Sequence, residues 1–244
     1  MKDLELKTIG AYCAILTTLS FVGGIAFMAT SGVQVLIPET GGHKTIDWID
    51  DVNGASGAFF AGAWLVILGG FFAFVAIVAI VGFYFALRDA GPVMLLAPVL
   101  GGVGMGLVQV SHLIPIAMGY ELAPGYEKAT GAAQDSLATT AGTFAAVAHV
   151  LNYSGDALLW GVVVPVVAWA ILVTRAVPRW IGWLGFVTAF FAGWLGLFSP
   201  ASSIIDGLTF IGFVGFFVFN AALGIALLRR RSPPGEELTP AAAT

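Results

Sequence analysis

Residues 142–175 read GTFAAVAHVLNYSGDALLWGVVVPVVAWAILVTR, a long apolar run interrupted by His149, Asn152 and Asp156. At about 100° per residue these three, with Tyr153 and Trp160, fall within one arc of a single helical face. Ionisable groups are expensive in a bilayer, so a row of them facing one way implies a protein-lined or watered environment rather than lipid. That face is the place to look for function.

The surrounding chain has the same character. Of its 244 residues 59% are hydrophobic and 10% charged, with a mean hydropathy of +0.95, against roughly 25% charged residues in a soluble domain. An all-α polytopic membrane bundle is the class this implies, and no nucleic-acid partner is expected. No polar linker is long enough to separate two domains, so residues 1–231 read as one transmembrane unit and 232–244, rich in proline and small residues, as a disordered tail. Cys13 is the single cysteine, which excludes an intrachain disulfide and a cysteine metal cluster.

In chain order, residues 9–29 are too long for the apolar core of a secretory signal and read as the first span. A polar connection follows, with Asp47, Asp50 and Asp51 around Trp48; Ile46 and Ile49 beside the tryptophan suggest a short helix lying at the membrane interface. Residues 58–87 form a second, uncharged span ending in a turn at Arg88, Asp89, Gly91 and Pro92. The third, 93–120, carries the pair Gly102 and Gly106, whose spacing lets a neighbouring backbone approach closely, followed by Gln109, Ser111, His112 and Pro115. The connection holding Glu121, Glu127, Lys128 and Asp135 is expected to be partly helical and continuous with the fourth span, 142–174. Trp180, Trp183 and Trp194 mark the two boundaries of the fifth span, 180–198, as an aromatic belt does. The sixth begins after Asp206 and runs to Leu228, with Asn220 inside it as an expected interhelical hydrogen-bonding contact.

Threading six spans places Lys2, Lys7, Arg88, Arg175, Arg179, Arg229, Arg230 and Arg231 on one side, eight of the ten basic residues, with Lys44 and Lys128 opposite. Both termini are therefore expected to be cytoplasmic in a multi-pass cell-membrane protein. Counting from the cytoplasmic boundary at about 1.5 Å per residue puts Asp156 and His112 roughly 28 Å up, with Asp206 at or just past the outer boundary. The expectation is an outward-opening cluster of His112, Asp156 and Asp206, with Gln109 below and Asn152 and His149 above.

Three functional classes fit. The first is a non-catalytic accessory or interaction protein whose glycine-rich faces pack on a membrane partner or a second copy, the polar cluster merely tying helix ends together. The second is a divalent-metal or haem site, or a metallohydrolase, with His112, His149 and Asp156 as ligands. The third is a small transporter or lipid-binding bundle. Sequence patterning favours the first, because no paired-histidine spacing presents two ligands from one helix and the region expected at the membrane middle offers mainly Asn220, Pro165 and glycines.

The motif Val177-Pro178-Arg179-Trp180-Ile181-Gly182-Trp183-Leu184-Gly185, followed by two spans and the stop Leu227-Leu228-Arg229-Arg230, resembles a bacterial family of small six-helix membrane proteins of unknown function. The resemblance implies the six-helix layout and no activity or catalytic residues. In placing histidines, aspartate and serine among transmembrane helices the chain is also similar to membrane zinc hydrolases of the alkaline-ceramidase kind, whose seven spans and paired-histidine motif it lacks.

Overall fold

The computed structural model describes the backbone of residues 2–33, 35–40, 42–55, 57–85, 92–201 and 203–230, and among these there is no strand. Nine α-helices follow one another within them: α1 (Lys2–Ser31), α2 (Gly42–Gly54), α3 (Ala58–Ala76), α4 (Leu96–Ala117), α5 (Ala123–Lys128), α6 (Ala132–Leu158), α7 (Val164–Thr174), α8 (Arg179–Thr188) and α9 (Ser203–Arg229). Wider π-helical turns prolong α3 over Ile77–Phe85, join α4 to α5 and α6 to α7, and extend α8 over Ala189–Trp194. Six helical segments are long and apolar enough to cross a membrane, which makes this a multi-pass membrane protein. Their backbone groups are satisfied internally, as an apolar solvent demands.

The fourth span is one continuous helix of 43 residues, Ala132–Thr174. At about 1.5 Å per residue it is roughly twice as long as a bilayer core is thick, so it continues into the preceding connection as expected. Its one irregularity has a local cause. Pro165 has no N–H to return to the preceding turn, and the helix widens over Leu159–Val163 just before it. The carbonyl of Gly161, four residues before the proline, instead accepts the indole N–H of Trp194 at 3.0 Å.

The spans form a ring in chain order: α1 packs on α3, α3 on α4, α4 on α6, α7 on α8, α8 on α9, and α9 back on α1. Glycines set the close crossings. A Cβ on Gly155 would stand 2.6 Å from Gly104 O, one on Gly24 2.7 Å from Gly62 O, and one on Gly224 2.6 Å from Ala11 O. The α4–α6 crossing thus uses Gly104 and Gly155. The pair Gly102 and Gly106 does not make it: Gly102 faces Phe74, and Gly106 has no atom within 4 Å of a would-be Cβ. Their spacing suits a close approach, but the face they lie on looks away from α6.

One end of the ring carries both termini. There Lys7 Nζ donates to Arg230 O at 2.9 Å and Arg230 Nη1 to Ala176 O at 2.6 Å, while Phe85, Met94, Ile171, Ile181 and Leu227 fill the interior. The other, the cap end, is covered by α2. That helix buries Trp48, Ile49 and Val52 against Met28, Phe59 and Ile116 and turns Asp47, Asp50 and Asp51 outward. The short interfacial helix expected from the sequence is therefore folded onto the bundle, because its apolar side finds protein to bury against. Asn53 Nδ2 fixes it by donating to Ala123 O (3.2 Å) and Glu127 Oε2 (3.1 Å), and Lys44 pairs with Glu39 on its outer surface. Arg88, Asp89 and the tail 232–244 lie outside the described residues.

Candidate functional site: a cavity with one polar end

The ring encloses a cavity of about 480 Å³ lined by side chains of α1, α3, α4, α6, α7 and α9 and by Val35, Leu36 and Ile37 of the strap between α1 and α2. Along the fourth span the lining runs from His149 to Val167, eighteen residues or about 27 Å. Polar groups gather toward the cap end, where His112, His149, Asn152, Tyr153 and Asp156 line the wall. Below them the wall is apolar, built from residues such as Ala73, Ala76, Ile80, Val163, Phe213 and Phe216. Asn220 is the polar exception, and its side-chain N–H donates to Phe216 O of its own helix at 3.0 Å. Among the described residues the expected interhelical bond through Asn220 is not made; the side chain turns back to a carbonyl one turn away instead.

The polar end is built on the one-turn spacing visible in the sequence. Asn152, Asp156 and Trp160 are four residues apart, so they stack along one face. Asn152 Nδ2 donates to Asp156 Oδ2 at 2.7 Å and Trp160 Nε1 to Asp156 Oδ1 at 2.7 Å, giving each carboxyl oxygen an N–H donor. Ser111 on α4, fully buried, links the two helices: its hydroxyl lies 3.2 Å from Asn152 Oδ1 and donates to Val108 O at 2.7 Å. Trp160 packs at a tilt against Phe213 and Phe216 of α9, with ring centroids 5.8 and 4.3 Å away.

The Ser111–Asn152 contact sets the register of α4 against α6, placing His112 level with the His149–Asn152 turn and Asp156 about one turn deeper. Counting residues from assumed membrane boundaries puts His112 and Asp156 at one depth; the tight Gly104–Gly155 crossing shifts that register. No hydrogen bond or ion pair joins His112 to Asp156. His112 lines the cavity with its Nδ1 buried and without a hydrogen-bond partner.

His149 has a different task. Its Nε2 lies 2.9 Å from Pro38 O, and its ring stacks on Tyr153. Trp48 Nε1 donates to Val35 O at 3.0 Å, so the strap is pinned at both ends across the mouth of the cavity. The cluster is consequently covered in part by residues 35–38, with α2 joined to that strap through Trp48.

Other expected members lie elsewhere. Gln109 leaves the cluster: its Nε2 donates to Ile67 O of α3 at 2.6 Å, and the space it occupies exists because residue 70 is glycine, whose Cβ would stand 2.5 Å from that nitrogen. The side chain of Asp206 lies outside the described residues, as does that of His43. Among the described residues no three histidine, cysteine, aspartate or glutamate side chains come together as a metal-binding group. His112, His149 and Asp156 thus share a cavity wall without forming a common ligand set, since His149 is engaged by the strap and Asp156 by its own helix.

Sequence reasoning names Ser111 in the third span but leaves it out of the cluster, and it misses the Pro38 carbonyl and the aromatic side chains of α9. Only Ser111 left a signal, as a polar residue beside His112 in an apolar span. The chain matches no protein-family model, no curated protein and no solved structure, so the cavity itself is the basis for a functional reading.

Proposed function

We infer that this is a cell-membrane protein that holds a long-chain amphiphile in its central cavity, the ligand's polar end against His112, Asn152 and Asp156 and its chain running toward the termini end. The observation that carries this reading is a cavity of about 480 Å³, within the size range of small-molecule sites, whose polar groups converge at one end of an apolar tunnel. Lipid binding belongs to the third of the classes the sequence fits. It moves ahead of the accessory-protein reading because the closest glycine contacts are spent between the protein's own helices, and ahead of the metal or haem reading because the three ligand candidates are not assembled.

The test is to purify the full chain in a mild detergent and analyse the extracted lipids by mass spectrometry. One amphiphile at near one-to-one stoichiometry, lost when Ala76 is replaced by tryptophan to block the cavity, is the expected result. Bulk membrane lipids in their ordinary proportions, unchanged by Ala76→Trp, would reject the reading.

Orientation belongs to the same proposal. Lys7, Arg175, Arg179, Arg229 and Arg230 cluster at the termini end, which supports a cytoplasmic position for both termini. Reporter fusions after Gly41 and after Asp89 should report outside and inside respectively; the opposite pattern would invert the protein. Kinship to the small six-helix bacterial family is proposed on the Val177–Gly185 motif, the Leu227–Arg230 stop and the six-span layout.

A further inference from the structure

The hydrogen bonding at the polar end restricts what head group fits, an inference that rests on the amphiphile reading above. Indole N–H is a donor only, so Asp156 Oδ1 necessarily accepts from Trp160, and Oδ2 has Asn152 Nδ2 at 2.7 Å. Each carboxyl oxygen retains a further lone pair for a third partner. Among the described residues that line the cavity there is no lysine or arginine. A carboxylate or phosphate head placed beside Asp156 would therefore set acceptor against acceptor with no lysine or arginine of the described lining to offset it, and an uncompensated buried charge is among the costliest arrangements in a protein. A hydroxyl or ammonium head would instead donate to Asp156, and the imidazole of His112, which has a buried nitrogen without a partner, lines the same end.

We propose that the cavity selects amphiphiles whose head group donates hydrogen bonds and carries no negative charge, such as long-chain alcohols and amines, and rejects fatty-acid and phosphate heads. Asp156 is the selecting group. Asn152 and Trp160 are positioning residues that hold its carboxyl oxygens in place.

Three probes of one chain length decide it: hexadecylamine, hexadecanol and palmitate, added at neutral pH to the full chain in an uncharged detergent, with thermal stability as the readout, since a ligand that binds only the folded protein raises it. The amine and the alcohol should raise the melting temperature, palmitate should not, and Ala76→Trp should abolish both shifts. Asp156→Asn, which keeps the shape and the possibility of donating to it, should weaken hexadecylamine about tenfold to a hundredfold, the worth of one charge-assisted hydrogen bond, and change hexadecanol far less. Palmitate stabilising the wild type as well as the amine does would overturn the head-group selection while leaving the cavity reading intact. If none of the three stabilises the wild type, the amphiphile reading fails and this inference with it. Should Asp156→Asn not fold, the ranking of the three probes on the wild type alone supports or overturns the selection.

Discussion

The two ends of the bundle are closed in opposite ways. At the termini end, helix closes on helix: Phe85, Met94, Ile171 and Leu227 are essentially inaccessible, and Lys7 and Arg230 add hydrogen bonds across the seam. At the cap end the helices leave a hollow, and a strap of residues 35–38 lies over it, tied to His149 and to Trp48 by single hydrogen bonds to its backbone carbonyls, with α2 packed beside it through Trp48, Ile49 and Val52. The polar side chains sit under the cover. Packed interiors resist any added or removed atom, whereas a hollow tolerates change, so on the proposed reading one end gives stability and the other binding.

The sharpest way to break this comparison is to overfill each end. A side chain at Gly224 must collide with Ala11 O and Ile15, so Gly224→Val should cost about 3 kcal/mol and visibly lower the melting temperature. Gly207→Val, on the cap side of the same helix, meets nothing within 4 Å and should leave stability nearly unchanged. Gly207 lies on the exposed surface, so equal losses at both positions would mean that the loss at Gly224 does not come from its close packing. Within the cavity Ala76→Trp should fall between them, because the added ring enters open space, yet it should abolish the amphiphile binding proposed above.

Loosening the roof should have a smaller effect on stability and a larger one on access. Trp48→Phe removes the bond to Val35 O, and His149→Ala removes the one to Pro38 O; each should cost about 1 kcal/mol. In a Cys13→Ala background, a cysteine replacing Ile37 should react faster with a water-soluble maleimide in either variant than in the wild-type roof. Unchanged labelling rates would show that α2 closes the mouth without the strap.

How much of this was legible in the sequence depends on whether the signal was local. The six spans, the continuity of the fourth with its preceding connection and the shared face of Asn152, Asp156 and Trp160 all follow from helical period and apolar length, so they could be read directly. Which faces meet across the bundle is not local. Gly102 and Gly106 have the spacing of a close crossing, yet Gly104 and Gly155 make it; Gln109, expected among residues one helix away, turns to Ile67. The roof was illegible for a further reason: its anchors are backbone carbonyls at Val35 and Pro38, which every residue type carries. Depth counting places His112 and Asp156 together because it treats each span as an independent ruler, whereas the Gly104–Gly155 crossing and the Ser111–Asn152 contact set the register between the rulers.

The finest test compares two asparagines, one in each half. Asn152 donates to Asp156 and approaches Ser111 of the neighbouring helix, so Asn152→Leu leaves one oxygen of a membrane-embedded carboxyl without its N–H donor and should cost about 1–3 kcal/mol. Asn220, also well buried, spends its N–H on Phe216 O, a carbonyl of its own helix. That bond ties no two helices together, and polar contacts within membrane bundles average only about 0.6 kcal/mol even when they do. Asn220→Leu should therefore shift the denaturation midpoint by less than Asn152→Leu does, and by an amount near the limit of measurement. A larger loss at Asn220 than at Asn152 would place the structurally important polar contact in the apolar half of the cavity and undo the division between a packed end and a polar one.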